Sequence, residues 1–377
     1  MSGAAARQSA SEIVAAPHKA ELRALTGIRG LAAWFVVLYH ARLLLTDMMP
    51  EWCIAVFAKG YLAVDFFFML SGFVIAYNYN GKFLRQGPAI TGAFLWRRLA
   101  RIWPLHAAIL AAMVVFVALL AATGRDYSGY PLAELPLHIL LMQNWGFTHD
   151  LTWNHPAWSI STELGAYLMF PLLALVVRWE RFGNPALFLA MTALLATLYL
   201  CFRFTGGDVL GADIARLGLV RCLIEFAVGT VLCVLWQRWR GRPGAALAAG
   251  VLALAILVGG FLTGLPETGF VPAGMAVALL ALALDRGGIS RFLASRVPHW
   301  LGEISYSTYL AHFFLLILFK IAFVDASLQM GAAQLAAYLL LVLIASAVLY
   351  HGVELPAQRW LNDRMPARLR ARVAVTE

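Results

Sequence analysis

The sequence has few charged residues. Only 13% of its 377 residues are Asp, Glu, Lys or Arg, whereas 62% are apolar or aromatic and the mean hydropathy is +0.76. A soluble globular chain carries about 25% charged residues. Half that charge cannot cover the surface of a water-soluble protein of this length. A soluble enzyme is therefore excluded, and an integral membrane protein is expected.

Cysteine is also scarce and gives no sign of a metal site or a disulfide scaffold. The four cysteines show no C-x-x-C spacing and no companion histidine cluster. Lys and Arg number 29 against 20 Asp and Glu, a net charge of +9. In a membrane protein such an excess reflects basic residues collected in cytoplasmic loops. We therefore expect no metal, no nucleic acid and no permanently bound cofactor.

Long apolar runs are abundant, and ten of them are long enough to cross a bilayer, which takes about 20 helical residues. They cover 24–46, 60–78, 102–122, 158–177, 185–202, 217–236, 245–263, 269–285, 301–322 and 333–353. An eleventh run, 131–147, is shorter and contains Pro131, Glu134 and His138. That composition favours a re-entrant or interfacial helix over a full span.

The distribution of basic residues favours ten spans with both termini in the cytoplasm. In that arrangement 21 of the 29 Lys and Arg residues fall in cytoplasmic segments, and an eleventh span would move 13 of them outside. The predicted fold is thus an all-α, polytopic membrane protein. We expect a mobile N-terminal tail over 1–20, one transmembrane domain over 21–361, and a basic cytoplasmic tail over 362–377 near anionic lipid.

Ionisable residues within the spans are costly and indicate a functional interior. Arg29 and His40 lie eleven residues apart in the first span, or about 16 Å along a helix. Asp65 and Glu163 fall at a depth similar to that of His40. A carboxylate beside an imidazole would make it a general base. The alternatives are that Arg29 reaches lipid phosphates, that His40 makes one buried hydrogen bond, and that either carboxylate pairs with Arg221 or caps a helix.

Two further polar groups have open interpretations. Arg221 and Glu225 share a helical face, which favours an intrahelical ion pair. Ser305, Tyr309 and His312 also share a face of one span. They line a cavity or form interhelical hydrogen bonds.

A basic pair precedes the third span. Arg98 and Arg101 lie three residues apart, on one helical face just before Pro104, where the span is predicted to begin. Guanidinium groups suit bidentate phosphate binding. Anchoring by the positive-inside rule is the alternative explanation.

Six segments in order resemble the acyltransferase-3 family of membrane-bound O-acyltransferases. The first, RGLAAWFVVLYH, holds the family's Arg-x10-His pattern as Arg29 and His40. The third, RRLARIWP, holds Arg98 and Arg101, and the sixth, VELP, contains Glu354. The other three are GYLAVDFFFMLSGFVIAY, WSISTELGAYLMFP and ISYSTYLAH. Together they cover the chain from about residue 21 to residue 360.

The resemblance implies ten membrane helices in a multi-pass protein of the bacterial cytoplasmic (inner) membrane. It implies transfer of an acyl group, often acetyl, from acyl-CoA as co-substrate to a sugar hydroxyl of a surface or exported glycan or glycolipid. It also implies that Arg29 and His40 are the pair most needed for activity, supported by Arg98 and Arg101. Some members carry an additional extracytoplasmic domain. We expect no such domain after the last span here, which leaves open a separate extracytoplasmic partner protein.

The expected mechanism places the CoA phosphates on Arg98, Arg101 and Arg29, with the thioester near His40. His40 takes the proton of the acceptor hydroxyl, oriented by Glu163 or Asp65, unless His40 is itself transiently acylated. Donors to the oxyanion are needed as well. The candidates for that role or for substrate contact are Trp158, Asn154, Tyr309, His312 and Ser71.

Two other classes of protein share some of these features. A secondary transporter would also have ten spans and buried polar groups, but it is expected to show two similar halves, and none is apparent. A non-catalytic membrane subunit of a glycan-export complex would use the same residues as packing surfaces, although packing alone does not require ionisable groups.

Overall fold

The computed structural model describes residues 23–374, and these form helices and turns without a β-strand. The predicted N-terminal tail over 1–20 lies outside the described residues, as do the last three residues of the predicted basic tail. The all-helical fold class is confirmed for the part of the chain that is described.

Ten helices are at least 18 residues long. They are α1 (23–41), α3 (Ala63–Gln86), α4 (Thr91–Ala122), α6 (Ala157–Val176), α7 (Asn184–Phe204), α8 (Ile214–Trp239), α9 (Ala245–Leu262), α10 (Glu267–Leu284), α13 (Ser305–Phe323) and α14 (Ala332–Leu349). By length and composition, nine stretches of the described chain qualify as membrane spans. One of these, Glu51–Ala122, contains both α3 and α4.

The connection between α3 and α4 shows why that stretch counts as two spans. A straight helix of its 72 residues would be about 108 Å long, far more than a bilayer. The chain instead reverses at Gly87, whose φ of +61° is a conformation that glycine adopts readily. Phe94 of α4 then packs against Tyr79 and Phe83 of α3. The ten predicted helices are therefore present.

The remaining helices are short. They are α2 (Glu51–Phe57), α5 (Leu135–Ile139), α11 (Gly288–Leu293), α12 (Arg296–Glu303), α15 (Leu355–Asp363) and α16 (Ala367–Ala374). The segment 131–147, predicted not to span, contains only α5 and a 3₁₀ turn at Leu132–Glu134. A π-helical turn at Tyr350–Glu354 joins α14 to α15 and buries Glu354. Such turns recur at functional sites.

Helix α4 begins well before the apolar run that was predicted as the third span. Helix α4 begins at Thr91, and Pro104 lies inside it rather than at its start. The polar stretch before Pro104 is helical although its charge hides it from a search for apolar runs. Arg98 and Arg101 are consequently held on a continuous helix, which fixes their direction.

Close packing of α3 on α8 forms the centre of the molecule. A Cβ on Gly72 would lie 2.0 Å from the carbonyl oxygen of Phe226, and one on Gly229 would lie 2.0 Å from that of Met69. Glycine at both crossing points lets the two backbones touch, as small residues do in membrane helix pairs. The approach fixes α3, which carries Asp65 and Ser71.

Candidate active site

Three of the predicted arginines line one cavity, which we call the arginine cavity. It has a volume of about 160 Å³ and is bordered by α1, α3, α4, α6 and α13. Arg29, Arg98, Arg101 and Glu163 line it. Residues from separate helices, widely spaced in sequence, thus meet as the mechanism requires.

The three guanidinium groups differ in how they are held. The Nη2 of Arg29 donates to the Ser305 hydroxyl at 3.3 Å. Arg101 forms an ion pair with Glu354 of the π-helical turn, whose other oxygen accepts a hydrogen bond from Ser307 at 2.6 Å. Arg98 lies 5.6 Å from the centre of the Tyr79 ring, and its Nε has no hydrogen-bond partner among the described residues. Arg98 is the least engaged of the three.

Glu163 belongs to the arginine cavity and not to His40. Its carboxylate accepts hydrogen bonds from Ser71 at 2.7 Å and from Tyr167. The prediction that Glu163 orients His40 is therefore not supported by these contacts. Ser71 is likewise engaged with Glu163, so its hydroxyl proton is not free for an oxyanion.

Asp65 lies in a buried ion pair. Arg221 donates to its two carboxylate oxygens through Nε and Nη2, both at 2.5 Å, and also donates Nη1 to the Leu210 carbonyl at 2.8 Å. Asp65 is therefore a structural partner of α8 rather than the group that orients His40. The four-residue spacing had predicted an ion pair between Arg221 and Glu225 within one helix. Arg221 instead pairs with Asp65 of another helix.

The partner of His40 is another imidazole. Nε2 of His312 lies 3.0 Å from Nδ1 of His40, and Nδ1 of His312 lies 3.1 Å from the Thr308 carbonyl. A neutral His312 that donates to Thr308 has a bare Nε2, so His40 donates its Nδ1 proton to His312 and to the Val36 carbonyl at 3.2 Å. This tautomer leaves the Nε2 of His40 unprotonated and able to accept a proton.

Helices α1 and α13 run in the same direction, and their polar residues meet in the same order along both helices. Arg29 meets Ser305 near the start of both helices, and His40 meets His312 further along. The polar stripe of α13 therefore lines the cavity at one end and supports His40 at the other.

Tyr309 stands between the arginine cavity and the histidine pair. It lines the cavity, and its ring centre lies 6.0 Å from that of His312. Its hydroxyl contacts Ser159 at 2.8 Å and the Pro156 carbonyl at 3.2 Å. His40 itself is not among the residues that line the cavity. Neither histidine lines the cavity, and Tyr309 is a lining residue that contacts His312.

The remaining candidates are held by packing or hydrogen bonds. Trp158 is buried, with Arg221 5.4 Å from its ring centre and Phe68 edge-on to it. One surface of Trp158 is consequently covered, which leaves less of it to stack on a sugar. The Asn154 amide donates to the Leu310 carbonyl at 2.9 Å, so that proton is not free for an oxyanion.

One residue near His40 escaped the sequence analysis. His155 stacks on Phe313 with ring centres 4.7 Å apart, and Phe313 also contacts His40, at 5.2 Å. The only feature of the sequence that could have indicated a role for His155 is its position between the candidates Asn154 and Trp158. Among the described residues, no group of three or more His, Cys, Asp or Glu side chains is placed to hold a metal ion.

Comparison with known proteins defines the class. The sequence model of the acyltransferase domain that characterises the acyltransferase-3 family matches residues 22–351. The chain therefore belongs to this family, and the predicted class of enzyme, an acyltransferase, is confirmed.

Several curated proteins are similar over nearly the whole chain. The acyltransferase MdmB of Streptomyces mycarofaciens is 29% identical, over 93% of this chain and 95% of its own length. A Komagataeibacter xylinus protein provisionally named membrane-bound transacylase BcsY is 27% identical, over 93% and 86%. A provisionally named O-acetyltransferase of Staphylococcus aureus is 22% identical over 93% of this chain and 61% of its own length. No solved structure matches the chain.

Proposed function

We propose that the protein transfers an acyl group, expected to be acetyl, from acyl-CoA to a hydroxyl of a sugar in a surface or exported glycan or glycolipid. Membership of the family and the names of the relatives support acyl transfer. The observation that carries the finer proposal is the pairing of an arginine-lined cavity with a histidine whose free nitrogen is fixed by a second histidine.

The arginine cavity is suited to the phosphates of CoA. Three guanidinium groups line the cavity, opposed by Glu163 in its lining and by Glu354, which pairs with Arg101, so one positive charge remains in excess. Guanidinium groups bind phosphate oxygens through paired hydrogen bonds. Arg98 makes the best donor because its Nε is not engaged. The pantetheine arm then extends toward Tyr309, and Tyr309 turns aside to admit the thioester to His40.

The chemistry at His40 is proton transfer. Its Nε2 takes the proton of the acceptor hydroxyl while that oxygen attacks the thioester carbonyl carbon. The C–S bond then breaks, and the departing thiolate recovers the proton from Nε2, so that the products are an ester and CoA-SH. His312 accepts a hydrogen bond from the Nδ1–H of His40 throughout, which holds the ring in place and stabilises the imidazolium that forms.

The two substrates approach from opposite sides of the membrane. With both termini in the cytoplasm, the arginine cavity faces the cytoplasmic side, where acyl-CoA is made, and His40 lies toward the outer leaflet. We propose that the protein lies in the cytoplasmic (inner) membrane of a bacterium, in contact with membrane lipids. It also delivers the acyl group outward without export of acyl-CoA.

Purified protein in liposomes tests the proposal. Acetyl-CoA labelled in its acetyl group is supplied on the arginine side, a methyl glycoside is supplied on the other, and free CoA thiol and labelled ester are measured. We expect both products without any solute gradient. Solute movement without release of CoA would instead indicate a transporter. Ester formation only after an extract is added would indicate that an extracytoplasmic partner protein is required.

A further inference from the structure

A small pocket lies beneath the segment that connects α5 to α6. His138, Gln143, Asp150, Asn154 and His155 are among the residues that line it, and we call it the loop pocket. Its volume is about 10 Å³, which is close to the room that one water-sized group needs. A single hydroxyl group therefore fits inside.

Two amide side chains that line the loop pocket each have an oxygen without a hydrogen-bond partner among the described residues. The Gln143 amide donates to the Ala157 carbonyl at 3.1 Å, and the Asn154 amide donates to the Leu310 carbonyl at 2.9 Å. These bonds fix which end of each amide is nitrogen. The oxygens, Oε1 of Gln143 and Oδ1 of Asn154, are buried and have no hydrogen-bond partner among the described residues. Both side chains are more than nine-tenths buried.

His138 supplies a third acceptor of the same kind. Its Nε2 lies 3.0 Å from the Thr152 hydroxyl, and that hydroxyl donates to Glu134 at 2.7 Å. Thr152 must therefore accept a hydrogen bond from the Nε2–H of His138, which leaves Nδ1 of His138 with a bare lone pair. Nδ1 is buried and unpartnered within the described structure. Burial, aided by the nearby His106, lowers the pKa of His138 to about 4, so the ring stays neutral at pH 7.

Three neutral acceptors without a donor indicate the chemistry of a ligand. Buried polar atoms are paired in nearly all native structures, and unpaired ones are costly. We infer that the loop pocket binds one hydroxyl group of the acyl acceptor, which the proposed function takes to be a sugar. A hydroxyl group supplies a donor proton to such acceptors, and it carries no charge to be buried.

The position of the loop pocket supports this assignment. His155 lines the pocket and stacks on Phe313, and Phe313 contacts His40. One aromatic ring thus separates the pocket from the proposed general base. In this inference, one hydroxyl of the sugar occupies the pocket, and a different hydroxyl is acylated at His40. The inference rests on the proposed function, because it identifies the acceptor side of that reaction.

A matched pair of variants tests the inference. Gln143→Met removes an acceptor that lines the pocket at nearly constant volume. Asn144→Leu is the control, because Asn144 is also a buried amide with an unpartnered oxygen, but it donates to Ile214 and does not line the pocket. The protein in liposomes is assayed with acetyl-CoA and a panel of methyl glycosides of glucose, galactose, mannose and rhamnose. Acetyl-CoA affinity is measured for each variant as a test of folding.

We expect at least one methyl glycoside to be acylated, and its KM to rise about tenfold in Gln143→Met while it stays unchanged in Asn144→Leu. The affinity for acetyl-CoA should be the same in both. Equal KM values would show that the pocket holds structural water only and would overturn the inference. If the protein binds and hydrolyses acetyl-CoA but acylates none of the glycosides, the inference is also overturned, whereas the proposed donor site is not contradicted. Failure to bind acetyl-CoA at all would contradict the proposed function itself.

Discussion

Arg98 and Arg101 lie three residues apart on α4, yet their side chains are engaged differently. Arg101 pairs with buried Glu354, so its charge also stabilises the joint between α14 and α15. Arg98 has an unpartnered Nε and only a ring contact with Tyr79. Loss of Arg101 would leave a buried carboxylate unpaired and destabilise the fold. Arg98 is therefore the cleaner position at which to test binding of the donor.

We expect Arg98→Gln to weaken acyl-CoA binding about tenfold to a hundredfold, because a hydrogen bond to a charged group is lost. Isothermal titration of the purified protein measures this. Arg97→Gln is the matched control, since Arg97 is the adjacent arginine and is not among the residues that line the cavity. Equal affinities in the two variants would leave Arg98 with a role in topology only.

His312 is a positioning residue, since it acts through His40. We expect His312→Leu to lower kcat about a hundredfold, because the ring of His40 loses its fixed orientation, with little change in acyl-CoA affinity. His312→Gln should recover part of the loss, because the glutamine oxygen can accept the same proton. Rates of both variants measured across pH 6 to 9 should show the recovery at every pH. If glutamine and leucine lower kcat equally, the hydrogen bond to His40 has no role in the reaction.

The contacts of the site residues were the feature that the sequence predicted least well. The length of an apolar run indicates only roughly how deep a residue lies: it put Glu163 level with His40, whereas Glu163 lines the arginine cavity. Rotation about the helix axis is set by packing, so depth did not reveal that Asp65 turns to Arg221 and Glu163 to Ser71. Helical spacing placed Tyr309 and His312 on one face, but the bond from His312 to His40 depends on how α1 meets α13.

At the scale of helices, the contact of α3 with α8 depends on glycine. A methyl group at Gly229 would collide with the Met69 backbone, so Gly229→Ala must push the two helices apart. We expect a loss of about 1–3 kcal/mol in stability, seen as a lower melting temperature in detergent. Gly250→Ala on α9 is the control, because no atom lies within 4 Å of the added methyl group. Equal melting temperatures would mean that the crossing is not closely packed.

The sequence predicted which segments form long helices better than it predicted where those helices begin and end. Apolar runs follow from the thickness of the bilayer, so each of the ten predicted runs contains the main part of a long helix. The start of α4 was missed because its first turns are polar and continue below the apolar run. The π-helical turn at Tyr350–Glu354 has no comparable composition signal, although it carries the partner of Arg101.

For the whole molecule, the charge distribution predicts which loops face the cytoplasm. Ser128 and Ser295 are exposed and fall in loops predicted to lie on opposite sides. In a background without native cysteines, we expect Ser128→Cys to react with an impermeant maleimide applied outside intact cells. Ser295→Cys should react only after the cells are opened. The reverse pattern would place the arginine cavity on the outer side and contradict donor binding from the cytoplasm.

We propose that donor binding and proton transfer reside in two neighbouring places, the arginine cavity and His40. The most direct test is to measure acyl-CoA affinity and acyl transfer in parallel for purified His40→Ala. The account predicts unchanged affinity and a loss of transfer of at least about a hundredfold, the usual contribution of a general base. Transfer at the rate of the unaltered protein would contradict it.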